Sequence, residues 1–485
     1  MTTKIIRVSS FTFLALLLIS WRGAQAQIRT QASLSGYVSD PSGAMIPGAG
    51  VRAINSQTSV ATVVRTNASG YYYVPALNAG TYTIQASAKG FKTTAQTGYV
   101  INVGDHAALD FHLSVGAATQ TVTVSAQLSH LQTNTAAISD VISGSQIQQL
   151  AVNGRNFMTM AKLVPGASAT PGNTGLGHLA SDIAFNGGRT EANTYYVDGA
   201  WDNDPGSKTS LDTSPAIAAV SQFKVVTSNY SAEYGGAGYA VINVNIKSGT
   251  NQFHGEGYEF VRNDAFDAPQ LFVNKTPPLK LNDFGFTIGG PVKKNKLFFF
   301  YSSEWRRQRA GTVFNTHAPT AAELAGDFSQ FPQVLPKSGA LKVPTGVKPG
   351  CITGTQVNPS CFDAEAVKLL SSGIFPAATA PSTFQDYNVA PSLPTNFNQE
   401  LFRIDYDLSS KVKLMGHFIR EGYDLNPGVS QWSNDDYPTV STDFQVPSKN
   451  LVVQLTTFIS PKMFNEAEFG YSDDSDIGHP VGTYT

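Results

Sequence analysis

From residue 250 onward the chain falls into runs of about ten residues in which apolar and polar side chains alternate. In residues 400–408, Phe402, Ile404, Tyr406 and Leu408 share one side, and Arg403, Asp405 and Asp407 share the other. In residues 411–421, Val412, Leu414 and Phe418 oppose Lys413, His417 and Glu421 in the same way. A period of two predicts strands with one buried face. Further strands are predicted at 253–262, 281–290, 297–305, 450–459 and 464–472. The connections between them alternate long and short: 263–280, 291–296, 306–399, 409–410, 422–449 and 460–463.

That rhythm suits a β-barrel in an outer membrane, where short turns face the periplasm and long loops face outside. Strands satisfy all their backbone polar groups in hydrocarbon only when closed into a barrel. On this reading Phe284, Phe286, Phe299 and Tyr301 meet acyl chains and Trp305 sits at an interface belt. Lys293, Lys294 and Lys296 then lie in water at the periplasmic end. The rival reading of the same strands is the core of a soluble β-sandwich.

The first third of the chain has a shorter pattern. SLSGYVSD, GVRAIN, VATVVRT, GYYYVPAL, GTYTIQASA, YVINV and ALDFHLSV, all within residues 31–115, are rich in β-branched and aromatic residues. Turn chemistry such as Asp40-Pro41-Ser42-Gly43 and Asn67-Ala68-Ser69-Gly70 separates them, at a spacing that suits an immunoglobulin-like sandwich. TQTVTVSAQ (119–127) reads as an extended piece, and residues 141–249 mix a helix start, SGSQIQQL, with glycine and asparagine turns. At the N-terminus, Lys4 and Arg7 precede the apolar run Phe11–Ile19, and Ala24-Gln25-Ala26 follows, which is the layout of a secretory signal over residues 1–26.

Composition narrows the function classes. Hydrophobic residues make up 41% of the 485 residues and charged residues 14%, few for a water-covered surface. A net charge of −2, with no long basic patch, argues against nucleic acid as a partner. The two cysteines, Cys351 and Cys361, flank a polar turn-rich stretch and are expected to form a local disulfide in an exported protein. No nucleophile elbow, P-loop or HExxH is present, Gly175–Ala180 fits a dinucleotide fingerprint without its strand, and the histidines lack metal spacing. Asp202, Asp204 and Asp212 match a calcium loop only loosely. The expectation is a protein that is not an enzyme and uses no cofactor or metal.

Gly36, Val38, Asp40, Gly43, Ile46, Gly48, Ala49 and Val51, followed by Thr66, Gly70, Tyr72, Leu77, Gly80, Tyr82 and Ile84, resemble the carboxypeptidase regulatory-like domain. NGRNF (153–157), LVPGA (163–167), FNGGRTEANTYYVDG (185–199), VSQFKVVTSNYSAEYG (220–235), VINVNIKSGTNQFHGEGYEFVRNDAFDA (241–268) and DFGFTIGGPVKKNKLFFFYSSEW (283–305) look like the TonB-dependent receptors that carry such a domain before the plug.

The resemblance implies a mainly β chain. It has a signal (1–26), an immunoglobulin-like β-sandwich (27–116), a TonB-box-like segment (117–127), an α+β plug domain (128–249) and the first strands of an antiparallel outer-membrane β-barrel (250–485). It implies a cell outer membrane location in a Gram-negative bacterium, with the N-terminal domain periplasmic. Thr121, Val122, Thr123 and Val124 would be the TonB box, pairing as an added strand with a TonB-type energy-transducing protein. Asn186, Gly187, Arg189, Asp198 and Gly199 match the plug signature; Arg189 and Asp198 either clamp plug to barrel or pair within the plug. Trp201, Asp202, Asn203 and Asp204 lie on a plug loop that either faces ligand or is simply solvated. The other implied partners are outer-membrane lipid and a bulky nutrient: an oligosaccharide, a peptide or a metal chelate. Barrels of this family close with about 22 strands, whereas seven are counted before Thr485, so the chain reads as a fragment or a truncated product. The alternative is a secreted or cell-surface β-sandwich protein that binds carbohydrate or acts as an adhesin.

Overall fold

The computed structural model describes residues 31–117, 121–125, 135–169, 183–206, 208–232, 234–269, 276–311, 314–330, 340–376, 387–389, 392–426, 440–460 and 463–482. The signal-like segment 1–26 lies outside them. Three β-rich units follow one another along the chain.

The first is a two-sheet sandwich. One sheet holds β1 (Ala32–Ser39), β4 (Tyr71–Leu77), β7 (His106–Ala108) and β8 (Phe111–His112); the other holds β2 (Gly50–Asn55), β3 (Ala61–Arg65), β5 (Gly80–Ser87), β6 (Thr93–Ile101) and β9 (Thr121–Ser125). The alternating inward residues Leu34, Val51, Val74, Ile84 and Leu113 form its buried core. Gly36 is required by close packing: a Cβ there would fall on the Leu109 carbonyl oxygen, to which the Tyr72 hydroxyl also donates at 2.6 Å.

The second unit carries β10 (Ile138–Ser143), α1 (Gly144–Gln149), β11 (Ala167–Ala169), β12 (Ile183–Phe185), β13 (Thr194–Val197), β14 (Ala200–Trp201), β15 (Val220–Ser228) and β16 (Val241–Ile246). The helix start is a capping box, with Ser143 and Gln146 each bonding the other's backbone. Its five-stranded sheet runs β10-β15-β16-β13-β14, with β13 and β16 parallel. Phe157 and Phe223 pack edge to face beneath it, 5.6 Å between ring centres.

The third unit is a wall of long antiparallel strands. It comprises β17 (His254–Asn263), β18 (Leu279–Lys293) and β19 (Leu297–Ala310). After a long loop come β24 (Leu393–Ser409), β25 (Val412–Leu425), β26 (Val440–Ser460), β27 (Met463–Asp474) and β28 (Ile477–Gly482). The loop contains β20 (Phe314–Thr316), α2 (Ala321–Leu324), β21 (Ile352–Thr353), β22 (Gln356–Val357), α3 (Ala364–Ser371) and β23 (Tyr387–Val389). A disulfide joins Cys351 to Cys361 there, with Cα atoms 5.7 Å apart. Strands run past the predicted limits: residues 400–408 are the C-terminal half of β24, and β28 continues beyond the seventh predicted strand.

The wall does not fold onto a second sheet. It curls around the second unit, and Phe300, Leu401 and Ile419 from its inner side join the buried cluster built by Phe157, Phe185, Tyr195 and Phe223. Its outer side carries Phe284, Phe286, Ile288, Phe402, Phe418, Val453, Leu455, Phe469 and Tyr471, all exposed. Phe284 stacks on Trp305 at 5.7 Å, and Phe286 meets Tyr301 at 5.8 Å. An apolar face of this extent is what acyl chains cover. No helix among the described residues is long and apolar enough to cross a membrane.

Gly249 joins the second unit to the wall, and a Cβ there would fall on the main-chain oxygens of Phe299 and Gly290. Gly249→Ala is therefore expected to cost about 1–3 kcal/mol. Gly235→Ala, where an added Cβ meets nothing within 4 Å, should cost less than about 1 kcal/mol. Urea midpoints of the two variants in detergent micelles check this.

Candidate functional site: the seam between the inner unit and the wall

The seam begins at a tight hairpin. Val197 pairs with Ala200, so Asp198 and Gly199 form a two-residue loop with φ of 47° and 105°, the twist that suits a Asp-Gly turn. The turn aims the Asp198 side chain at the wall. Its Oδ1 accepts from the Ile246 N–H at 3.1 Å, and its Oδ2 accepts from Arg403 Nη1 at 2.9 Å and contacts His417 Nδ1 at 2.8 Å. Arg403 also grips Asp405 through Nε and Nη2, both at 2.9 Å, and donates to the Ile246 carbonyl at 3.0 Å. Burial alone would raise the Asp198 carboxyl, but the Arg403 guanidinium and His417 outweigh it and hold the group below its usual value.

From His417 the contacts continue. Its Nε2 meets Asn450 Oδ1 at 2.7 Å, and Asn450 Nδ2 donates to Asp202 Oδ1 at 2.7 Å. Thr213 closes on Asp202 with its backbone N–H and its hydroxyl, both at 3.3 Å. The hydroxyl of Ser472 reaches both Asp212 and Asp202. A single polar chain thus runs from Asp405 through Arg403, Asp198, His417 and Asn450 to Asp202, crossing β24, β25 and β26.

Asp202 and Asp212 differ from Asp198 in having no cation beside them. Burial, the Asp212 charge and Glu421 push Asp202 well above the ordinary carboxylate range. Burial, then Asp474, Glu421, Asp204 and Asp473, push Asp212 up to about 8. Asp212 therefore keeps a proton at neutral pH. Among the described residues no three His, Cys, Asp or Glu side chains group so as to hold a metal ion.

Two further contacts join the same surfaces. Gln399 donates to the Ser214 carbonyl at 2.6 Å and to Glu421 at 2.8 Å, and accepts from the Ala216 N–H at 2.7 Å. Arg155, held at φ 49°, lies over the Phe260 ring at 3.9 Å, with Asp283 at 3.6 Å and Glu304 at 4.0 Å.

The sequence candidates separate on this map. Asn186 and Gly187, both at positive φ, make the turn in which the Gly188 N–H returns to the Phe185 carbonyl, and the Asn186 amide donates to the Thr227 carbonyl at 3.0 Å. Arg189 is exposed and makes no ion pair among the described residues, so Asp198 clamps the wall through Arg403 instead. Asp202 and Asn203 are buried, and Asn203 is spent on Tyr195 and Asn193, so neither side chain is solvated. Trp201 is half-exposed and Asp204 lies at the surface side of the same loop. Thr121–Ser125 is an edge strand laid parallel on β6, with Thr121, Val122 and Thr123 exposed.

Sequence reasoning missed Arg155, Gln399, Arg403, His417, Glu421 and Asn450 as parts of one site. The available signal was the charged side of the alternating runs: inward charges on a strand that faces lipid need partners.

Residues 33–114 match the carboxypeptidase regulatory-like domain, residues 131–241 the TonB-dependent receptor plug domain, and residues 245–484 an outer membrane beta barrel domain. Over 256 residues the chain is 28% identical to the TonB-dependent transporter Oar of Myxococcus xanthus, an overlap of 49% of this chain and 23% of that protein. Among solved structures it is similar to the outer membrane transporter YddB from Escherichia coli, with 11% identity and a TM-score of 0.42 over 70% of this chain and 39% of that one. It is likewise similar to a mutant ferric enterobactin receptor, PfeA from Pseudomonas aeruginosa, crystallised with enterobactin, with 13% identity and a TM-score of 0.41 over 70% and 42% of the two chains. The chain spans 23% of the curated relative's length.

Two outcomes are expected from this geometry. Removing Arg403 strands the buried Asp198 and Asp405 charges, so Arg403→Ala should cost about 3–5 kcal/mol, read as a fall in the denaturation midpoint. The Asp212 carboxyl is pushed up to about 8 from its ordinary value of 3.8. Between those values the native state holds a proton that the unfolded chain has released, so stability falls as pH rises, by up to about 1.4 kcal/mol per pH unit. Asp212→Asn should flatten that part of the profile, measured by denaturant titration at each pH.

Proposed function

The chain belongs to the TonB-dependent outer-membrane receptors that carry a carboxypeptidase regulatory-like domain, and from that premise we propose that it takes up a bulky nutrient through energised remodelling of the plug. An oligosaccharide, a peptide or a metal chelate is the substrate class. The observation that carries the reading is the seam: a plug seated inside a lipid-facing wall, joined to it largely by ion pairs and hydrogen bonds such as Asp198–Arg403 and Gln399–Ser214. Such contacts exchange for water at a net of about 0.5–1.5 kcal/mol each, so the plug can move when pulled and reseat afterwards.

The pull enters at Thr121–Val124, an exposed edge strand, where a TonB-type energy-transducing protein of the periplasm adds a strand of its own. The regulatory-like domain is then periplasmic, and the disulfide-bearing loop between β19 and β24 lies outside the cell. The rival reading, a secreted β-sandwich that binds carbohydrate or acts as an adhesin, is not favoured, because the long strands wrap the plug and present aromatics outward.

Ala218 is buried within the plug and makes a suitable reporter. In energised cells, Ala218→Cys is expected to react with a periplasmic maleimide, and an uncoupler should abolish the reaction. Equal labelling with and without the uncoupler would overturn energised uptake.

A further inference from the structure

The regulatory-like domain sits against the short-turn end of the wall through contacts that are mostly polar, with one ring contact, Tyr73 to Phe464 at 6.5 Å between centres. Asn251, just before β17, donates its backbone N–H to the Gln57 carbonyl at 3.1 Å and its side-chain amide to the Thr58 carbonyl at 2.7 Å. The same side chain holds Asn295 of the β18–β19 turn. Lys413 reaches the Thr62 hydroxyl at 3.0 Å, and Gln31 donates to Gln454 at 2.6 Å. One contact goes to the plug itself: Lys224 Nζ lies 3.0 Å from Asp105 Oδ1 and 3.2 Å from the Gly104 carbonyl, with side chains only 5% and 4% exposed.

No shared buried core ties these parts together among the described residues. Among the described residues, the core that joins plug to wall contains no residue of the regulatory-like domain, and the domain's own core contains none of theirs. Between the three units lies a cavity of about 470 Å³. Asn55, Thr62 and Tyr82 line it from the domain, Lys247 from the plug, and Arg403 and Thr456 from the wall. The domain is therefore the floor of a chamber of mixed polar and apolar lining at the short-turn end of the wall. The domain's sheet also ends in β9, paired residue for residue with β6 from Thr93↔Thr121 to Thr97↔Ser125.

We propose that the regulatory-like domain is a lid over the periplasmic mouth of the barrel, latched to the plug by Lys224–Asp105, and that β9 is the strap by which it is drawn off. The lid stands on these contacts alone; the direction of pull rests on the uptake reading above. The polar interface fits a lid better than a fixed fusion of domains. It can part without exposing a dry surface, and the latch is a pair in which loss of one charge strands the other.

Purified full chain in detergent micelles tests the lid without energy input. Thr456 is 2% exposed on the chamber wall, so Thr456→Cys should react slowly with a bulky maleimide. Lys224→Met should speed that reaction at least ten-fold. A disulfide from Gln57→Cys to Asn251→Cys, placed across the backbone contact, should return it to the slow rate in the Lys224→Met background, which also shows that the variant is folded. An unchanged rate in Lys224→Met, or a fast rate despite the tether, would overturn the lid.

The strap is tested in energised cells. A disulfide from Thr94→Cys to Val122→Cys, which staples β9 to the lid, should leave energised labelling of Thr456→Cys intact, whereas loss of labelling would mean that β9 peels away alone and would overturn the strap. If energisation changes nothing even in the unstapled protein, the uptake reading fails while the micelle result for the lid still holds.

Discussion

Hydrocarbon on one side of the wall governs the rest of the molecule. Strands that place Phe284, Phe402 and Phe418 outward must, by the period of two, place the intervening residues inward. Those residues are Asp283, Glu304, Arg403, His417 and Glu421, nearly all buried. A charge in a partly dry lumen costs several kcal/mol unless it is paired. The plug meets that demand: Asp198 balances Arg403, and Arg155 lies beside Asp283 and Glu304. The outer solvent thus dictates the chemistry of the plug's surface through the pleat of the strands between them.

Polarity at the seam shapes what the plug can do. An apolar seam would be held by about 25 cal/mol for each Å² kept from water, all of it lost on withdrawal. Hydrogen bonds instead are traded for bonds to water at a small net difference. Specificity of seating comes from the geometry of the Asp405–Arg403–Asp198 cluster, where a planar guanidinium meets one carboxylate with two nitrogens and another with a third. The plug's own sheet stays dry, with Val225, Ile242 and Val244 fully buried, so the unit can shift as a body.

The sequence made some of this legible and hid the rest for physical reasons. Alternation located the strands because lipid and lumen impose opposite polarity on neighbouring residues. It failed at strand ends such as Thr395–Gln399 in β24, where Phe397 is the one apolar residue among polar neighbours and little contrast remains. It also failed at β28, whose Pro480 and glycines read as turn chemistry although the strand pairs with β26. Asp198-Gly199 announced a turn, but its partners Arg403 and His417 stand 205 and 219 residues away, and only the register of β24 and β25 brings them to it. Asp202 and Asn203 looked like a solvated loop because acidic and amide residues usually are. A bridge between Asn203 and Leu211 folds that loop back against the wall instead. The cysteine pair was readable because its closure is local.

The two polar interfaces are not equal, and the difference sets an order of events. Asp198 bonds the wall through two side chains, Arg403 and His417, and Gln399 adds separate ties to the plug at Ser214 and Ala216. The apolar cluster that includes Phe300, Leu401 and Ile419 adds to the hold on the plug. Among the described residues the regulatory-like domain has no such shared cluster, and Lys224 ties it to the plug at Asp105 and the carbonyl beside it. A load shared by β9 and the chain that follows it therefore meets the weaker interface first. On the proposed lid, the mouth would then open before the plug yields.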